Sequence, residues 1–265
     1  MADDGAVLHW REQGAGAPVL LLQGQATPMA GWDRVAADLA TGYRVLRCEQ
    51  RGVAGSGARP GQDLAAGTLA GDGTWTTRTL AADVRAVLDA AGVDRAHVVG
   101  HSMGGKVAQW LAVDAPDRVA SLVLLATGAG AADGVPRDAE AHRLLLAGDA
   151  AARSALFFDP AWAAAHAGEV RTFFTHDAPR PVLRALYRAS TEHDALAVLP
   201  RITAPTLVVH GDRDRLAAPA SARVLAGAVP GATLLLLPGA GHGLHLDSPQ
   251  AAAAVRAFLR EHAAG

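Results

Sequence analysis

Six short, predominantly apolar runs punctuate the chain, at positions 18–22, 43–47, 96–100, 120–125, 206–210 and 233–237. A strand with one wet face alternates apolar and polar residues. Runs such as 18–22 and 120–125 do not alternate, so both of their faces must be covered, as in a parallel sheet. Alanine-rich stretches with helical spacing lie between them. Leu80, Val84, Val87, Leu88 and Ala91 share one face and stop at Gly92. Residues 104–114 form a second helix closed by Pro116, and residues 250–262 a last one. Strand and helix alternating over 265 residues predict an α/β protein with a mostly parallel, doubly wound sheet.

Two stretches break the rhythm. Residues 57–76 are glycine-rich and read as a long loop. Residues 128–200 show helical patterns without strands and carry Phe157, Phe158, Trp162, Phe173, Phe174 and Tyr187. This segment is expected to be a helical insertion lying over the sheet. The expected organisation is therefore a core in two parts, 1–127 and 201–265, with a helical cap at 128–200.

Bulk properties exclude several classes. A net charge of -2 gives no basic footprint for nucleic acid. The single Cys48 rules out an intrachain disulfide and a cysteine metal cluster. The first residues lack the basic and apolar regions of a signal peptide, and the apolar runs are too short to span a bilayer. A soluble, cytoplasmic protein acting on a small molecule, with no nucleic-acid or membrane partner, is expected.

The sharpest local signal follows the third apolar run. Gly100-His101-Ser102-Met103-Gly104-Gly105 lies between an expected strand and an expected helix. In a G-x-S-x-G turn the chain bends sharply to lift the serine hydroxyl above the strand end. The positions two before and two after the serine crowd each other, and glycine at 100 and 104 removes the colliding Cβ atoms. The Met103 N–H then falls at a helix start, free to donate to an oxyanion. Gly100 to Lys106 also has the spacing of a phosphate-binding G-x-x-x-x-G-K loop. Val107 stands where that loop needs Ser or Thr to hold magnesium, so the nucleophile turn is preferred.

A serine hydroxyl needs an adjacent base, and the base needs a third group to fix its tautomer. Asp212 and Asp214 lie just past the run at 206–210, at the carboxyl end, where sites in such sheets form. Asp214 is the preferred acid, since Asp212 is better placed to shape the turn. His242, flanked by Gly241 and Gly243, is the preferred base. His245 is its rival, although it sits nearer a helix entry. The two histidines lack a third ligand at metal spacing, so no metal is expected, and the chemistry needs no cofactor. His97, His142, His166, His176 and His193 read as packing or surface residues. His101 is expected to tune the pocket or pack in the turn.

These motifs together resemble the α/β-hydrolase superfamily over nearly the whole chain. Gly-His-Ser-Met-Gly-Gly is the most specific match, supported by Gly-Ala-Gly-His242 and Asp247-Ser248-Pro249. The resemblance implies an α/β-hydrolase fold with a cap over the site. Family members usually carry His-Gly after the strand equivalent to 19–22, and the next residue donates a second oxyanion N–H. Here the pair is Gln23-Gly24, which makes Gln25 the implied partner of Met103. Members also show D-x-R-G-x-G-x-S. Arg51, Gly52 and Ser56 match it, whereas Glu49 and Ala54 depart, and the segment reads as a structural turn.

The implied chemistry is hydrolysis of a carboxylic ester, thioester or lactone through an acyl-enzyme on Ser102, Asp214 and His242. Trp32, His101, Phe157, Phe158, Trp162 and Leu244 are expected to line a mostly apolar pocket for a small to medium substrate. Arg143, Arg153, Arg171, Arg180, Arg184 and Arg188 read mainly as solvated, with one able to bind a substrate carboxylate. Serine at 102 argues against relatives with a carboxylate nucleophile, the dehalogenases and epoxide hydrolases. Carbon–carbon bond hydrolases often carry Asn before the serine and Ser-Gly-Pro in the oxyanion loop. His101 and Gln25-Ala26-Thr27-Pro28 depart from both. A cofactor-free perhydrolase would use the same triad. A cyclase or ligand receptor of this fold would not need it intact.

Overall fold

A computed structural model describes residues 2, 4–57 and 75–263, so most of the loop expected at 57–76 lies outside the described residues. The sheet comprises β1 (Trp10–Gln13), β2 (Ala17–Leu22), β3 (Tyr43–Cys48), β4 (Ala96–His101), β5 (Val119–Leu125), β6 (Thr206–Gly211) and β7 (Thr233–Leu237). Its spatial order is β1-β3-β2-β4-β5-β6-β7. The pairs β2–β3, β2–β4, β4–β5, β5–β6 and β6–β7 are parallel, and β1 runs antiparallel to β3. All six apolar runs are strands. The unforeseen strand, β1, reads Trp-Arg-Glu-Gln and exposes Arg11 and Glu12 at the sheet edge. An edge strand with polar residues carries no apolar signal to read.

The helices are α1 (Asp33–Leu39), α2 (Thr77–Ala90), α3 (Met103–Asp114), α4 (Ala139–Ala147), α5 (Ala150–Phe157), α6 (Pro160–Ala165), α7 (Ala167–Phe174), α8 (Arg180–Thr191), α9 (Pro219–Ala228), α10 (Leu244–Asp247) and α11 (Pro249–Glu261). Local chemistry sets many of their starts. The side chains of Asp138, Asp149 and Asp159 accept backbone N–H groups at the starts of α4, α5 and α6, and Ser248 does so for α11. Thr76 and Thr79 form a reciprocal capping pair at α2.

Strand side chains alternate between the two faces of a sheet. On β2, Leu20 and Leu22 join the cluster containing Leu88 of α2 and Leu111 of α3. Val19 and Leu21 join the one containing Leu39 of α1 and Leu259 of α11. On β5, Leu122 and Leu124 divide from Val123 and Leu125 in the same way. Helices on both faces explain why these strands are predominantly apolar. Helices α4–α8 all fall between β5 and β6, and their apolar side chains Ala141, Leu156, Phe157, Phe158 and Phe173 cluster with Leu246 of α10. No helix among the described residues is long and apolar enough to cross a membrane.

The sheet order reverses at β2, which lies between β3 and β4. Loops leaving β2 and β4 therefore diverge at their carboxyl ends and leave a crevice. The segments after β6 and β7, which carry Asp214 and His242, emerge at the same edge.

Candidate active site

Ser102 occupies the turn between β4 and α3 at φ 53° and ψ -118°. That region costs a non-glycine residue about 1–3 kcal/mol, so the surroundings must impose it. The Ser102 N–H donates to the Leu125 carbonyl (2.9 Å), and the Thr127 hydroxyl donates to the Ser102 carbonyl (2.8 Å). A Cβ on Gly100 would lie 2.6 Å from the Gly104 carbonyl oxygen, and one on Gly104 would lie 2.2 Å from that of Leu22. Glycine is required at both positions, the second because α3 starts against the end of β2.

The three side chains expected to act together do meet. The Ser102 hydroxyl lies 2.9 Å from His242 Nε2, and His242 Nδ1 lies 2.7 Å from Asp214 Oδ2. Asp214 Oδ1 accepts the N–H groups of Leu216 and Ala217, each at 2.9 Å. His210 Nε2 stands 3.3 Å from Oδ2. Burial alone would push the Asp214 carboxyl up. The His242 and His210 rings outweigh that and hold it well below the usual carboxylate range. An ionised Asp214 fixes the His242 proton on Nδ1, which leaves the Nε2 lone pair to accept from the serine.

The rivals stand apart. Asp212 Oδ1 accepts the Gly239 N–H at 2.7 Å and ties the β6 and β7 turns together. His245, on α10, is buried with no hydrogen-bond partner at either ring nitrogen among the described residues, packed against Trp32 and His101. His101 Nε2 donates to the His242 carbonyl at 2.8 Å. Burial, with the nearby His242 ring adding to it, pushes the His101 imidazole down to about 3. A neutral His101 therefore holds the His242 loop in place.

The loop after β2 supplies the other half of the site. The Met103 N–H sits at the first position of α3, beyond reach of a helical carbonyl. Gln25 is bracketed by residues held by Gln50. Gln50 Oε1 accepts from the Ala26 N–H (2.9 Å), and Gln50 Nε2 donates to the carbonyls of Gln23 (3.0 Å) and Gly24 (2.7 Å). Gln23 Nε2 donates to the Cys48 carbonyl at 2.6 Å, and Glu49 Oε2 accepts the Met29 N–H at 3.0 Å. Sequence reasoning missed Gln50. The available signal was its place at the carboxyl end of β3, directly beside β2.

The family profile for the alpha/beta hydrolase fold matches residues 17–249. The chain belongs to the alpha/beta hydrolase family. A Variovorax paradoxus protein provisionally named as the carbamate hydrolase RutD is 35% identical over 247 residues, 89% of each chain. A hydrolase from Pseudomonas aeruginosa PA01 superposes with a TM-score of 0.77 at 33% identity, covering 97% of this chain and 96% of its own. Est816, described as an N-acyl homoserine lactone degrading enzyme, superposes with a TM-score of 0.78 at 28% identity, covering 97% and 98%.

In this hydrolase a cavity of about 720 Å³ opens over Ser102. His101 and Phe157 line it. Four other expected pocket residues do not. Trp32 and Leu244 are 1% and 0% exposed and belong to the core on one face of the sheet. Trp162 stacks on His166 one helical turn later and lines a separate cavity of about 340 Å³ with Trp32. Phe158 is buried against Phe157, Trp162 and Phe173. Phe173 and Phe174 take their place, and His142 and His176 line the cavity as well. The expected apolar lining covers only part of the wall, because Lys106, Arg137, Arg153 and Arg184 also face this space.

Proposed function

We propose that this protein is a serine hydrolase that cleaves a carboxylic ester, thioester, lactone or carbamate through an acyl-enzyme. The observation that carries the reading is the continuous relay from the Ser102 hydroxyl to His242 (2.9 Å) and on to Asp214 (2.7 Å), open to a cavity. His242 Nε2 takes the serine proton as Oγ attacks the substrate carbonyl. Asp214 stabilises the imidazolium that forms and keeps its ring oriented. The N–H groups of Met103 and Gln25 hold the tetrahedral oxyanion. The imidazolium returns its proton to the leaving group, giving the acyl-enzyme. Water, deprotonated by the same imidazole, then releases the acid.

Residues 128–200 act as a cap. Phe157 at the end of α5, Phe173 and Phe174 at the end of α7, and Tyr187 of α8 all contribute to the cavity wall. The α5 end is also tied to the base, because the Gly243 N–H donates to the Phe157 carbonyl at 2.7 Å. The carbamate possibility rests on the relative from Variovorax, and the lactone one on Est816.

The test is a panel of p-nitrophenyl esters, lactones and aryl carbamates, run with the wild type and Ser102→Ala side by side. Turnover by the wild type alone, with fluorophosphonate labelling of Ser102, is expected. Equal turnover by Ser102→Ala would remove Ser102 as nucleophile, and an inert, unlabelled wild type would remove the hydrolase reading.

A further inference from the structure

The charges around the cavity are lopsided. Among the described residues its lining holds Lys106, Arg137, Arg153 and Arg184 and no Asp or Glu, although the whole chain carries 26 acidic against 24 basic residues. Several arginines elsewhere are paired, Arg215 with Asp138 and Glu140, Arg34 with Glu169 and Arg256 with Asp38, while Arg171, Arg180, Arg223 and Arg260 are exposed to solvent. Among the described residues no carboxylate lies within ion-pair distance of the four that line the cavity.

Three of them gather around α8. Lys106 Nζ donates to the Ser190 carbonyl (2.8 Å) and hydroxyl (3.3 Å), and Arg137 donates to the Thr191 carbonyl (2.7 Å). Arg184 faces the same cavity from the same helix. Capping the end of α8 accounts for where Lys106 and Arg137 sit. It does not account for their charge: a helix carboxyl end carries roughly half a negative charge, against two full positive ones. Burial pushes the Lys106 ammonium down to about 8, and repulsion from Arg137 outweighs the attraction of Asp133. Two of the three Lys106 ammonium donors are used by Ser190, which leaves one for a ligand.

We propose that Lys106, Arg137 and Arg184 bind a carboxylate carried by the substrate, so that this site takes esters, lactones or carbamates bearing a free carboxylate. The inference rests on the hydrolase reading only for the position of the reacting bond. Lys106 follows Ser102 by one helical turn, and its N–H donates to the Ser102 carbonyl at 3.3 Å. A short, flexible half-ester such as that of glutarate is the probe of this arrangement. The groups facing Lys106 are Arg137 before α4, His142 on α4, Asp133 after β5 and His193 after α8, and the histidines are held neutral chiefly by burial. A bound carboxylate favours protonated Lys106, so binding weakens as pH rises through about 8.

The experiment compares monomethyl glutarate with methyl pentanoate in a pH-stat, for the wild type, Lys106→Met, Lys106→Arg and Arg184→Gln. The wild type should favour the anionic ester in kcat/KM. Lys106→Met and Arg184→Gln should each lower that preference about tenfold through KM, and Lys106→Arg should retain most of it. Arg184 lies on an exposed part of α8 and tests the wall should Lys106→Met fail to fold. A wild type that treats the two esters alike, or a preference untouched by either variant, overturns the proposal and leaves the cations as caps of α8. If neither ester is cleaved, the hydrolase reading is at fault, and calorimetry with glutarate decides the binding wall separately. Binding weakened about tenfold in Lys106→Met supports it; no binding to the wild type sinks it.

Discussion

Gln50→Leu isolates the brace of the oxyanion loop. The substitution keeps most of the side-chain volume and removes three hydrogen bonds: those to the Ala26 N–H and to the carbonyls of Gln23 and Gly24. Each neutral bond contributes a net of about 0.5–1.5 kcal/mol, which gives a range of about 1.5–4.5 kcal/mol. Gln50 is half-buried, so water can replace part of what is lost and the lower half of that range applies. The variant should fold, with a reduced Tm. The kinetic effect comes from elsewhere. Gln25 is the residue between Gly24 and Ala26, and both neighbours lose their tether together. Removing an oxyanion donor outright costs about 10²–10³ in kcat, which sets the ceiling. Displacement of the Gln25 N–H should lower kcat by about 10- to 100-fold, with KM changed far less, because the donor matters most once the oxyanion has formed. Turnover of p-nitrophenyl butyrate together with a thermal melt reads both effects. Gln50→Glu should be no better, since an ionised carboxylate accepts from Ala26 but faces two carbonyl oxygens. A folded Gln50→Leu protein with wild-type kcat would mean either that the loop holds itself or that Gln25 is not the second donor, and so would refute the bracing role of Gln50.

Three other outcomes follow from the same geometry. Ser102→Ala should abolish ester turnover while remaining folded, whereas Ser102→Gly should also raise stability by about 1 kcal/mol through release of the φ 53° strain; chemical unfolding of both variants checks this. Asp214→Asn should lower kcat by about 10⁴ by freeing the wrong His242 tautomer. The depressed Asp214 carboxyl also contributes stability above its unfolded value near ~3.9, lost as pH falls through the folded one. Urea unfolding between pH 6 and pH 3 should therefore show a flatter pH dependence in Asp214→Asn than in the wild type. The Cys48 thiol is pushed up to about 12 by burial and by the charges of Asp83 and Glu49, so a disulfide reagent should modify it only after unfolding.

The readable and unreadable parts of this chain divide along a physical line. The strands β2 to β7 were legible because packing against helices keeps most of their residues apolar. The candidate site was legible wherever chemistry or backbone geometry dictates the residue type: glycine at 100 and 104, where no Cβ fits, and a histidine and an aspartate past the ends of successive strands. Side-chain direction was not legible. Trp32 and Trp162 are aromatic and close in sequence to the site segments, yet each turns toward the other cavity, because the face a helix buries depends on how its neighbours pack. Gln50 acts on residues 24 to 27 positions earlier in the chain, through hydrogen bonds that no periodicity announces. Lys106 joins the two categories. In the sequence it is the lysine of an incomplete phosphate loop, dismissed because Val107 follows it. In the fold the start of α3 that holds Ser102 and frees the Met103 N–H also sets Lys106 one turn further along the same cavity. The proposed nucleophile, oxyanion donor and cation are therefore all carried by the start of a single helix. A substrate held at its carboxylate by Lys106 would have its reacting carbonyl positioned by that helix, without help from the loops.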